Sequence, residues 1–165
     1  MGVAGSGKSV VGSAIAAALG CRFVEGDQLQ PAENVARMAS GLPLDDDYRK
    51  GWLESVGREI ARTASSGSSV VAACSALKRS YRDQLRQHWP RITFVYLMVD
   101  PETSRWRVAQ RKGHFMPASL VESQFKDLEP PTEDENVLVF DATRPIAEIV
   151  AAAASRLAST HARQS

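Results

Sequence analysis

The sequence predicts an α/β fold in three layers, a parallel sheet with helices on both faces. Three observations carry this expectation. Short β-rich runs alternate with helical patterns along the chain, several helices open on clear capping residues, and a glycine-rich stretch at the start runs straight into a helix. With 165 residues the chain suits one domain, residues 1–165, large enough to bury a real core.

Taken in order, Lys8 to Leu19 reads as a helix stopped by Gly20. Cys21 to Val24 is a short strand ending in Glu25-Gly26-Asp27. Pro31 to Ala39 forms a short helix, with proline in its first turn and Gly41 just past its end. Asp45 to Ala64 is a longer helix whose apolar face carries Trp52, Leu53, Val56, Ile60 and Ala64. Ser69 to Cys74 reads as a buried strand, and Lys78 to Trp89 as a helix closed by Pro90. Ile92 to Val99 is β-branched and aromatic throughout, hence a strand. Asp100-Pro101-Glu102 then caps a helix, and the spacing Ser119 to Glu122 opens another. Val137 to Phe140 is the last strand, and Ile146, Ile149, Val150, Ala153 and Leu157 mark a final amphipathic helix that frays from His161. In such a sheet ligands bind beyond the carboxyl ends of the strands. The loops to inspect are therefore 25–30, 75–78, the turn at Asp100, and 141–145.

Composition narrows the class. Hydrophobic residues make up 44% and charged residues 24%, as in an ordinary globular protein. A net charge of +1 argues against a large basic surface and so against nucleic acid as partner. No apolar run reaches the roughly 20 residues that span a bilayer, and the start does not read as a signal peptide. Cys21 and Cys74 form neither a disulfide framework nor a metal pattern, which points to reduced thiols in the cytoplasm.

Gly2-Val3-Ala4-Gly5-Ser6-Gly7-Lys8-Ser9 is a phosphate-binding loop. Its glycines let several backbone N–H groups turn into one concavity, and the helix beginning near Lys8, with Val10 in its first turn, adds its positive end. Lys8 would bridge the β- and γ-phosphates of ATP, and the Ser9 hydroxyl would ligate Mg²⁺. The expected architecture is thus the P-loop NTPase fold. Such a loop normally follows a buried central strand, for which Met1 leaves no residues. The expectation is a first strand truncated at Met1 by a start codon placed too far downstream, ahead of the chain being a fragment or another segment filling the gap. Its loss would leave the neighbouring strands unpaired and the core open.

A GTPase would carry an Asn-Lys-x-Asp run, which is absent. The remaining motifs are Gly26-Asp27-x-Leu29-x-Pro31, Asn34, Met38-Ala39-Ser40-Gly41-x-Pro43-Leu44 and Asp46-Asp47-x-Arg49-Lys50-x-Trp52-Leu53. They continue with Cys74-Ser75-Ala76-Leu77-Lys78, Tyr81-Arg82-Asp83, Arg111-Lys112-Gly113-His114-Phe115 and Gln124-Phe125-x-x-Leu128-Glu129. In this order, from Met1 to about Pro145, the chain resembles the gluconate kinases. It departs from their pattern at Glu25, where Asp is usual, at Gln30, where His is usual, and at Gly51, where Pro is common.

The resemblance implies ATP-dependent phosphorylation of D-gluconate on its 6-hydroxyl, and suggests a homodimer. It implies that Lys8, Mg²⁺ and an arginine of a lid around residues 107–128 stabilise the migrating phosphoryl group. Arg111 is the expected phosphate contact, with Arg107 contacting or bracing it. Asp27 would accept the hydroxyl proton, against a plainer reading as a cap before Pro31. Gluconate needs a cation for its carboxylate; Lys78 and Arg82, four apart on one helix face, are preferred to Arg49. Arg144 is the expected residue near adenine, and His114 the expected packing or capping side chain. Trp52, Trp89 and Trp106 read as core or helix-packing residues, and Asp45-Asp46-Asp47 as a helix N-terminus rather than a metal cluster. The alternatives are a kinase for shikimate or a nucleoside monophosphate, and a non-catalytic nucleotide-binding protein.

Overall fold

The computed structural model of the chain describes residues 1–110 and 120–162. The order of elements follows the sequence closely: α1 (Lys8–Ala18), β1 (Arg22–Glu25), a 3₁₀ turn (Gly26–Leu29), α2 (Ala32–Ala39), α3 (Asp46–Ser65), β2 (Val70–Ala73) and α4 (Arg79–His88). Then come β3 (Phe94–Met98), α5 (Pro101–Ala109), α6 (Leu120–Asp127), a second 3₁₀ turn (Glu133–Glu135), β4 (Val137–Asp141) and α7 (Ile146–Ala162). Caps fall where the residues demand. Asp45 accepts from the backbone of Asp47 and Tyr48, and Asp100 from Thr103 at 2.8 Å. Pro31 sits at the cap of α2 rather than inside its first turn.

Strand alternation divides the core into two layers. Phe94 and Tyr96 face Trp52, Leu53, Val56, Tyr81 and Leu85 of α3 and α4. Their neighbours Val95, Leu97 and Val99 face Val11 and Ile15 of α1 and Ile149 and Ala153 of α7. Trp52 is fully buried and Trp89 packs at the edge of the same cluster, but Trp106 is 64% exposed and belongs to neither. Among the described residues no helix is long and apolar enough to cross a membrane.

The sheet is open where the first strand was expected to be missing. β1 pairs with β2 in parallel, Arg22 opposite Val70 through Glu25 opposite Ala73. β3 pairs with β4 in parallel, Phe94 opposite Val137 through Met98 opposite Asp141. Among the described residues Met1 and Gly2 join the two pairs: the Met1 amino group donates to Val95 O, the Leu97 N–H donates to Met1 O at 3.0 Å, and the Gly2 N–H donates to Ser75 O at 3.1 Å. Behind them lies a cavity of about 740 Å³, walled by Val70 to Cys74 on one side and Thr93 to Val95 on the other. The two residues reproduce the hydrogen bonding of a central strand only at its carboxyl end, where the loop begins.

Burial and the nearby Lys8 charge push the Met1 amino group down to about 5, against a small opposing influence of Cys74. An unfolded amine titrates near 8.0. Between these values the unfolded chain binds more protons, so stability rises with pH, and the penalty is complete below pH 5. For the 165-residue chain, urea unfolding should show a gain of at most roughly 4 kcal/mol from pH 5 to 8. Acetylation of Met1 should flatten that slope. An equal slope in the acetylated chain would mean that the amine is not its source.

Candidate functional site

The phosphate loop leaves β-like geometry at Gly2 and enters α1 at Gly7. Gly5 and Gly7 have φ of 76° and 89°, left-handed values that cost other residues energy. At Gly5 an added Cβ would lie 2.6 Å from Ser104 O, so only glycine fits against α5. No side chain caps α1, which leaves its first N–H groups directed into the loop for an anion. Lys8 is half-buried and its Nζ donates to Val3 O at 2.9 Å, so its charge lies across the loop. Ser6 is buried, its hydroxyl without a partner among the described residues. Val3 is a core residue and Val10 is exposed, so any part these two have at the nucleotide runs through the backbone.

Side chains from outside the loop hold its outer face. Ser104 Oγ donates to Ala4 O at 2.7 Å, and the Ala4 N–H donates to Gln124 Oε1 at 2.7 Å. Arg107 donates to Gly5 O at 3.3 Å and to Ala142 O at 3.0 Å, a bracing position between the loop and the turn after β4. Arg144 on that turn is exposed and pairs with Glu148 at 2.7 Å. Arg111, His114 and Ser119 lie outside the described residues.

Facing the loop is a cleft that brings together Lys8, Ser9, Asp27, Gln30, Arg49, Ser75 and the α6 residues Leu120, Ser123 and Gln124. Asp27 sits in the 3₁₀ turn after β1, and Trp52 Nε1 fixes that turn by donating to Gly26 O at 2.8 Å. It does not cap α2, whose cap is Pro31 without a side-chain bond. Arg49 is buried, donating to Leu44 O at 3.0 Å and pairing with Asp127 at 3.3 Å.

The other two cations preferred from the sequence lie elsewhere. Lys78 pairs with Asp46 at 2.6 Å, which also accepts from the Tyr81 hydroxyl and holds the lysine pKa above its ordinary value. Arg82 is fully buried. It pairs with Glu135 through bonds of 2.6 and 2.8 Å and donates to Ala76, Leu77 and Glu129 carbonyls. Its donors reach protein acceptors in this structure, tying the turn at Ala76 and Leu77 to the segment at Glu129 and to Glu135. Glu135 and Gln124 went unassigned in the sequence. Gln124 belongs to the Gln124-Phe125-x-x-Leu128-Glu129 motif, whereas Glu135 sits in an acidic run with no periodicity to mark it.

A family model described as an AAA domain matches residues 1–131. The thermosensitive gluconokinase of Escherichia coli K12 is 42% identical, over 90% of this chain and 80% of that protein. The gluconokinase of Gluconobacter oxydans 621H is 44% identical over 84% of this chain and 78% of its own length. Among solved structures, a gluconokinase from Sinorhizobium meliloti 1021 superposes with a TM-score of 0.87 at 46% identity, covering 100% of this chain and 94% of that one. An unliganded sugar kinase from Janibacter sp. HTCC2649 gives a TM-score of 0.90 at 40% identity, over 95% and 91% of the two chains.

Proposed function

Because the chain belongs to the gluconokinase family, we infer that it transfers the γ-phosphoryl group of ATP to the 6-hydroxyl of D-gluconate, giving 6-phosphogluconate and ADP. One observation supports this most: residues of the phosphate loop, Asp27 and Arg49 line one cleft. The donor chemistry of its loop side, a hydroxyl at Ser9 beside Lys8, suits a hard cation that keeps most of its ligands as phosphate oxygens and water. Mg²⁺ bound with the nucleotide would supply charge neutralisation there, with Ser9 as its protein ligand.

In this reading the loop N–H groups and Lys8 orient the triphosphate. Arg49 takes the gluconate carboxylate, and Asp27 accepts the proton of the 6-hydroxyl. The hydroxyl oxygen bonds to γ-phosphorus as the bond to the β–γ bridging oxygen breaks, and ADP leaves with that electron pair. Cys21 and Cys74 are unpaired, and burial pushes the Cys74 thiol up to about 11, which suits an inert thiol and a cytoplasmic setting.

ADP release measured with gluconate, shikimate or a nucleoside monophosphate tests the assignment; stimulation by gluconate alone is expected. Asp27→Asn should lower kcat by about 10²- to 10⁴-fold. The KM for ATP should change less than about threefold, because Asp27 faces the acceptor rather than the nucleotide. An unchanged kcat would remove Asp27 from the reaction.

A further inference from the structure

Gln124 touches both halves of the site. The residue is 6% exposed on α6, and its Oε1 accepts from the buried Ala4 N–H at 2.7 Å. The same residue lines the cleft beside the loop, with Leu120 and Ser123. One helical turn further along α6, Asp127 pairs with Arg49. That contact, at 3.3 Å, is long for a charge-assisted bond, which closes at about 2.7–2.9 Å when well formed. A carboxylate arriving at Arg49 competes with Asp127 for the same guanidinium. Any adjustment of Asp127 is carried about 5 Å along a rigid helix to Gln124, and from there to the backbone of the phosphate loop.

We propose that Gln124 is a positioning residue that couples occupancy of the acceptor cleft to the geometry of the phosphate loop, through its bond to the Ala4 N–H. The inference rests on the reading of Arg49 as the acceptor-side cation. It asks for nothing new at the reacting atoms. Ser104 holds the carbonyl of Ala4 while Gln124 holds its N–H, so α5 and α6 fix this peptide segment from two sides, and only the α6 side faces the acceptor.

The test is nucleotide affinity, measured calorimetrically with a non-hydrolysable ATP analogue at zero and saturating gluconate. In the unaltered chain gluconate should tighten nucleotide binding by about five-fold or more, within the usual range of site-to-site coupling. Gln124→Met removes the acceptor oxygen and should bring that factor close to one. Asp127→Asn, which touches no part of the loop, should reduce it as well. Gln124→Glu keeps an oxygen for the Ala4 N–H, so it should bind nucleotide more weakly overall yet retain the coupling. A Gln124→Met chain that keeps the full factor, or a Gln124→Glu chain that loses it, overturns the proposal. An unaltered chain that phosphorylates gluconate without any coupling overturns it too, leaving the function intact. A chain that does not bind gluconate at all overturns the functional reading and this inference with it.

Discussion

Lys8→Ala is expected to reduce gluconate-dependent ATP turnover by about 10²- to 10³-fold or more, the usual consequence of deleting one donor aimed at developing charge. The folded chain should survive the change. Lys8 is half-buried, and the bond it loses to Val3 O is worth about 1 kcal/mol. Steady-state kinetics paired with a thermal melt separate the two effects. Lys8→Arg keeps the charge but not a point-like ammonium, so it should recover little. Turnover near normal in Lys8→Ala would remove the loop from the phosphate site.

The features legible in the sequence are those fixed by neighbours along the chain. The phosphate loop, the caps at Asp45 and Asp100 and the apolar face of α3 each depend on residues within a few positions, and the structure has them where the pattern puts them. Sheet continuity was not legible in the same way. That Met1 and Gly2 would bond Val95, Leu97 and Ser75 depends on strands more than 70 residues away. The same limit applies to the cations. Arg49, Lys78 and Arg82 all read as helix charges, and the family resemblance together with spacing favours the pair four apart. Burial then separated them by partners remote in sequence: Asp127 for Arg49, Asp46 for Lys78 and Glu135 for Arg82. Trp106 shows the converse, since an aromatic at helical spacing was expected to pack and is instead exposed.

The Arg82–Glu135 pair gives the largest expected change in stability and also decides between the two readings of Arg82. Both side chains are 1% exposed, and the guanidinium holds the Glu135 carboxyl down to about 2. Because the folded carboxyl titrates below its ordinary value of 4.5, the stabilisation is complete above that value and is lost as pH falls towards 2. Arg82→Met leaves the buried Glu135 carboxylate with the longer, 3.6 Å contact to Arg86 and should cost up to about 3–5 kcal/mol, read by urea unfolding at neutral pH. Arg82→Met combined with Glu135→Leu removes both charges and should recover most of that loss, since a buried pair gains little over apolar residues of similar volume. The double variant then answers the functional question in a folded protein. If Arg82 only ties the turn at Ala76 and Leu77 to the segment at Glu129, the KM for gluconate should stay within about threefold. If it grips the substrate carboxylate, as its place on the helix first suggested, the KM should rise by at least about tenfold while stability is restored. The committed donors of Arg82 and the place of Arg49 in the lining of the cleft favour the first outcome, because a guanidinium already bonded to a carboxylate and three carbonyls has no fork to offer a second anion.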